Sequence, residues 1–140
     1  MMRQGAEILH FDTRGRGFLD ITARVASFAN EQRLSAGLLT LFCRHTSASL
    51  LIQENADPNV LHDLETFFAS LVPEGEGHYE HDTEGPDDMP AHIRAALTQT
   101  HLAIPIIGGA LTLGTWQGLY LVEHRRRGHR REVAAHVVGE

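Results

Sequence analysis

Apolar residues recur along the chain in two rhythms. Ile21, Val25 and Phe28 stand at i, i+4 and i+7, one face of a helix, with Asp20 as its cap and Gly37 closing the unit. A second helical face runs through Val60, Leu61, Leu64, Phe67, Phe68 and Leu71. Asp57-Pro58 supplies its start, a capping carboxylate followed by a proline suited to the first turn, and Pro73 ends it. Asp88-Met89-Pro90 opens a third helix reaching about Leu97. Between these units the period changes to two or to unbroken apolar runs. Glu7–Phe11 reads as a short strand, Leu38–His45 as a buried strand, and Thr46–Gln53 as its successor. Leu102, Ile104 and Ile106 alternate, and Gly108-Gly109 marks a hairpin turn. Ala110–His124 is a long β-like stretch interrupted at Gly114 and Gly118, and Glu132–Val138 is a final strand. The order β-α-β-β-α-(loop)-α-β-β-β predicts an α+β fold with mixed or antiparallel sheets and about three helices. The 140 residues form a single domain, 1–140, with no repeat or linker.

Composition narrows the chemistry. The net charge is −6 and all 12 basic residues are arginine. Without lysine, neither a Schiff base nor a P-loop lysine is available. A phosphate must be held by arginine, histidine, backbone N–H groups or a metal. The acidic balance argues against nucleic-acid binding, and the basic run Arg125–Arg131 reads as a solvated hairpin turn. The single cysteine, Cys43, lies in an apolar run and reads as a small buried hydrophobe. No apolar run approaches the ~20 residues of a membrane span. Met1-Met2-Arg3-Gln4-Gly5 lacks the apolar core of a signal peptide, so a cytoplasmic location is expected.

Ten histidines exceed what packing requires, and three fall in one region. His78, His81 and His92 bracket a loop carrying Glu80, Asp82, Glu84, Asp87 and Asp88. Such imidazole and carboxylate donors suit zinc, iron or manganese, although the spacing matches no standard zinc motif. Asp87 or Asp88 also has the simpler reading of a helix cap. His45-Thr46-Ser47 stands at a strand junction, where its groups can bind an anion or merely close a turn. Asp57 is accounted for as a cap, but Glu54 is not, and it is expected to reach toward His45. Trp116 and Gln117 sit between two glycines. Glu123 and His124 end a strand on opposite faces, either at a solvent-exposed edge or with one of them in the site.

Several of these segments resemble the YjbQ family. The resemblance is carried by His45-Thr46-Ser47, Asn55-Ala56-Asp57-Pro58, Glu84 to Ile93, Ile104-Pro105-Ile106, Gly114-Thr115-Trp116-Gln117-Gly118, Glu123-His124-Arg125 and the closing Gly139-Glu140. It spans about Ile8 to Glu140. Ser47 departs from the threonine common there, which keeps a hydroxyl, and the basic stretch after Arg125 is heavier than usual. The resemblance implies a mixed α+β fold, a homotrimer, and a pocket using His45, His81, Asp87, His92 and Gln117. It also implies a secondary thiamine-phosphate synthase, a transferase joining a hydroxymethylpyrimidine diphosphate to a thiazole phosphate with release of diphosphate. On that basis His45, His81 and His92 are the expected catalytic residues. Thr46, Ser47, Asn55, Trp116, Gln117, His124 and Arg125 are the expected substrate contacts. Glu54, Asp82 and Asp87 are the expected ligands of a divalent metal, Mg²⁺ or alternatively Zn²⁺. The expected partner is a small phosphorylated molecule, with no nucleic acid and no membrane. The competing expectation is a non-catalytic module that binds a metal or a phosphate ligand through the same histidines.

Overall fold

The computed structural model describes residues 1–75 and 77–140; Glu76, inside the long polar loop, lies outside the described residues. The elements are β1 (Arg3–Asp12), β2 (Gly17–Asp20), α1 (Thr22–Glu31), β3 (Ala36–Cys43), β4 (Ala48–Glu54), α2 (Pro58–Leu71), α3 (Asp88–Leu97), β5 (His101–Ile107), β6 (Ala110–Leu111), β7 (Gln117–Glu123) and β8 (Arg130–Gly139). The strands form a five-stranded sheet in the order β1-β8-β3-β5-β6 and a three-stranded sheet in the order β2-β7-β4. Every described pairing between these strands is antiparallel, as the α+β expectation requires.

Alternation along the strands builds the core. Leu39 and Leu41 of β3, Ile104 of β5 and Val133 and Val137 of β8 point inward from the larger sheet. Leu50, Leu119 and Leu121 meet them from the smaller one, and Val25 and Phe28 of α1 close the cluster. Each fully buried side chain of this kind contributes about 1.5–3 kcal/mol. The other face of the smaller sheet is covered by α2 and α3. Tyr120 and Val122 are therefore buried as completely as Leu119 and Leu121. By contrast, the outer face of the larger sheet leaves apolar groups in solvent, with Phe42 at 49% exposure beside Ile8 and Leu38.

Local chemistry sets the element boundaries. Asp57 caps α2, its carboxylate accepting the Asn59 N–H at 2.9 Å. Asp20 acts one position upstream of the α1 cap, accepting from the Thr22 N–H and hydroxyl. Gly108 and Gly109 take φ of 61° and 82°, the left-handed pair that a tight β5–β6 hairpin demands. Three expectations need correction. β2 was not foreseen. Ala110–His124 is two strands rather than one, because the Gln117 side-chain oxygen accepts the Gly114 N–H and closes a turn before β7. And α2 buries none of its residues, with Phe67 at 58% exposure, so only part of its apolar stripe rests on β4.

Candidate functional site

The Asp88 carboxylate begins α3 and is almost fully buried. Four residues on, one turn along the same helix face, His92 places Nε2 3.1 Å from Asp88 Oδ2. His81 brings its own Nε2 to 2.7 Å from that oxygen from the preceding loop. The three donor atoms lie within 4.8 Å of one another, the single such group among the described residues. The other Asp88 oxygen accepts from Arg125 at 2.7 Å. Glu84 adds a second carboxylate 3.2 Å from His81 Nε2.

The protons on His92 can be deduced. Its Nδ1 faces the Thr46 carbonyl at 2.9 Å, and a carbonyl only accepts, so Nδ1 carries hydrogen. In a neutral ring Nε2 is then a lone pair facing a carboxylate oxygen. The pair is favourable only if the ring holds a second proton or a cation lies between them. Backbone-tethered imidazole of this kind is how proteins fix the tautomer of a metal-binding histidine. Burial alone would raise the Asp88 pKa, but the His81 hydrogen bond and the Arg125 charge outweigh it and hold the carboxyl below its usual value. The Asp88 hydrogen bond raises the His81 pKa. Two imidazoles and an ionised carboxylate thus fit a divalent transition metal.

Asp87 has a different task. Burial would raise it, but hydrogen bonds from the Arg125 side chain and the Arg126 N–H bring its pKa down to about 2. Arg125 also donates to the Glu84 carbonyl, so it staples the acidic loop to the turn after β7. The solvated-turn expectation for Arg125–Arg131 holds for the exposed Arg126, Arg127 and Arg130 but not for Arg125 and Arg131. Arg126 pairs with Glu74, and Arg131, buried, pairs with the buried Glu123. Glu123 and His124 do not form an exposed edge. Glu123 also accepts from Thr13, and His124 sits 2.8 Å from the Ser49 hydroxyl. Burial pushes the His124 pKa down to about 4.

A cleft of about 620 Å³ adjoins His92 between the end of β3, the start of β4 and α3, with Arg44, His45 and Thr46 in its wall. His45 Nε2 accepts the Glu132 N–H at 2.7 Å, and burial, then the nearby Arg131 charge, lowers its pKa. Ser47 is engaged within the fold, its hydroxyl accepting from Arg131. Cys43 is buried, and burial raises its thiol pKa, consistent with an inert core residue.

Other expected site residues do not join this group within one chain. Glu54 ends β4 beside Gln117, while Ala48, at the cleft, begins it. Six residues of strand separate them, roughly 20 Å. Glu54, Asn55, Trp116 and Gln117 therefore form a second polar cluster, with Trp116 at 63% exposure. Asp82 is exposed beside His81. Hence Glu54, Asp82 and Asp87 do not assemble as a carboxylate set. Asp88, which the sequence offered both among the loop carboxylates and as a helix cap, is the shared carboxylate; its four-residue spacing to His92 was the available signal.

Residues 7–140 match the family described as UPF0047 protein YjbQ-like. The chain belongs to that family. A UPF0047 protein of Synechocystis is 56% identical over 99% of this chain and 94% of its own. The YjbQ protein of Escherichia coli O157:H7 is 45% identical over 94% and 96%. Among solved structures, a YjbQ/UPF0047 family protein of Clostridium acetobutylicum, described as uncharacterized, is 35% identical over 92% of this chain and 98% of its own, with a TM-score of 0.82. Among the described residues, no helix of this YjbQ-like chain is long and apolar enough to cross a membrane.

Proposed function

We propose that this YjbQ-like protein is a metal-dependent enzyme acting on a small phosphorylated molecule in the cleft beside His92. The observation that carries the reading is the convergence of His81, Asp88 and His92, with the His92 Nδ1–H spent on the Thr46 carbonyl. This donor set favours Zn²⁺, Fe²⁺ or Mn²⁺ over Mg²⁺, which prefers oxygen ligands. When bound, such a metal supplies a Lewis acid that neutralises charge on a phosphoryl oxygen. The chain's own residues prepare the site. Arg125 keeps Asp88 ionised and fixes its orientation, and Asp87 holds Arg125 in place.

Within this reading, joining a hydroxymethylpyrimidine diphosphate to a thiazole phosphate is the first reaction to assay. Family membership is what suggests it. A cytoplasmic, homotrimeric protein is part of the same proposal; the apolar groups on the outer face of the larger sheet support its self-association. The internal pairing of Arg125, Arg126 and Arg131 supports a chain without a nucleic-acid partner. The test is turnover of phosphorylated substrates, including that pair, by protein purified without a histidine tag and loaded in turn with Zn²⁺, Mn²⁺ and Mg²⁺. Turnover that needs the metal and disappears in Asp88→Asn supports the enzyme. Stoichiometric metal with no turnover supports the alternative, a binding module.

A further inference from the structure

At the end of β3 the sheet departs from its own pattern. β3 and β8 pair in register to Cys43 and Val133, which puts Arg44 opposite Glu132. Arg44 N–H donates to the Glu132 carbonyl at 3.2 Å, as a continuing antiparallel ladder requires. The return bond differs. The Glu132 N–H donates to His45 Nε2 at 2.7 Å, so the imidazole takes the acceptor place of a backbone carbonyl. An N–H can only donate, so Nε2 must be the unprotonated nitrogen, and the neutral ring carries its hydrogen on Nδ1. That donor has no partner among the described residues, and His45 lines the same cleft as His92. The Arg44 side chain, also in the wall, gives one N–H to the Glu132 carboxylate.

We infer that His45 is a substrate-positioning residue whose neutral ring, locked by Glu132, presents Nδ1–H to a phosphoryl or diphosphate oxygen in the cleft beside His92. This narrows the expectation of His45 as a catalytic residue to a binding role, since a ring clamped in one neutral form holds its proton rather than passing it. The inference rests on the enzyme reading for its substrate class but on the sheet geometry for the donor. Metal binding by His81, Asp88 and His92 does not enter the hydrogen-bond argument.

Two measurements test it on the full tag-free chain. Nitrogen–proton NMR correlation of ¹⁵N-histidine-labelled protein reads the tautomer: the Nδ1–H form is expected for His45, and an Nε2–H or imidazolium signature at neutral pH overturns the inference. Titration with inorganic pyrophosphate compares wild type, His45→Gln and His45→Glu. Gln retains both an acceptor for Glu132 and a donor for the cleft, whereas Glu retains only the acceptor. Binding by His45→Gln within about threefold of wild type is expected, and a loss of about tenfold or more in His45→Glu, with similar melting temperatures. Equal binding by all three chains, or no saturable binding by wild type, overturns it. Metal content of the same preparations separates the two claims. Normal metal with equal pyrophosphate binding overturns the His45 role alone. Absent metal with the His45 dependence retained overturns the metal site alone.

Discussion

Lowering the pH should destabilise the fold through His124. The ring is 2% exposed, bonded to the Ser49 hydroxyl, and its pKa is depressed from 6.5 to about 4, by burial first and then by the Arg94 charge. A depressed histidine is neutral in the fold, while the unfolded chain takes up a proton below pH 6.5. Stability is therefore intact above 6.5 and is lost as pH falls toward 4. Between pH 7 and pH 5 this one group costs about 2 kcal/mol, on the linkage relation. That is a large share of the ~5–15 kcal/mol typical of a domain. Other groups act in the same window: His45 adds to the loss, and His81, with its raised pKa, opposes it. The contribution of His124 must thus be read as a difference. Urea unfolding of wild type and His124→Gln at pH 7 and pH 5 provides it, since glutamine keeps a partner for Ser49 without titrating. Wild type should lose about 2 kcal/mol more than the variant across that interval. Equal losses would refute the reasoning.

Other consequences follow from the same geometry. His92→Ala should fold, losing about 1 kcal/mol for its bond to Thr46, while zinc affinity by calorimetry falls at least tenfold. Unchanged zinc affinity would make the histidine structural. Arg131→Met should cost about 3–5 kcal/mol in denaturant melts, because Glu123 at 1% exposure loses its guanidinium partner and keeps only the Thr13 hydroxyl, the Arg125 N–H and the nearby His129; a loss under 1 kcal/mol contradicts that. Phe42→Glu should shift the light-scattering mass of the proposed trimer to that of a single chain without unfolding it. A wild type that is already monomeric rules the assembly out.

Much of the fold was legible because local and tertiary signals agreed. Asp57-Pro58 and Pro73 bound α2, and Leu102, Ile104 and Ile106 alternate because one face of β5 is core and the other is not. β2 escaped because four half-exposed or exposed residues carry no measurable period. β7 could not reveal its faces, since the smaller sheet is packed on both sides and Leu119 to His124 are all buried. The site was legible in part. His81, His92 and His45 stood out as unexplained polar groups at element ends. Glu54 was grouped with His45 by proximity along the chain, which takes no account of the length of β4, and Gln117 joined them through the family resemblance alone. Asp88 stood in the acidic loop with the histidines but was not singled out from its neighbours, since a carboxylate at a helix start already has a role as a cap. Asp87 lies far in sequence from Arg125, so charge counting along the run did not show that Arg125 is held by a buried carboxylate.

The proposed metal centre consists of His81, Asp88 and His92. Anomalous X-ray diffraction from crystals of the tag-free protein grown with Zn²⁺, recorded on either side of the zinc absorption edge, tests it most directly. One strong peak per chain is expected within bonding distance of His81 Nε2, His92 Nε2 and Asp88 Oδ2, absent in crystals of Asp88→Asn. A pocket without a peak, with Asp88 simply bridging two protonated imidazoles, would contradict it.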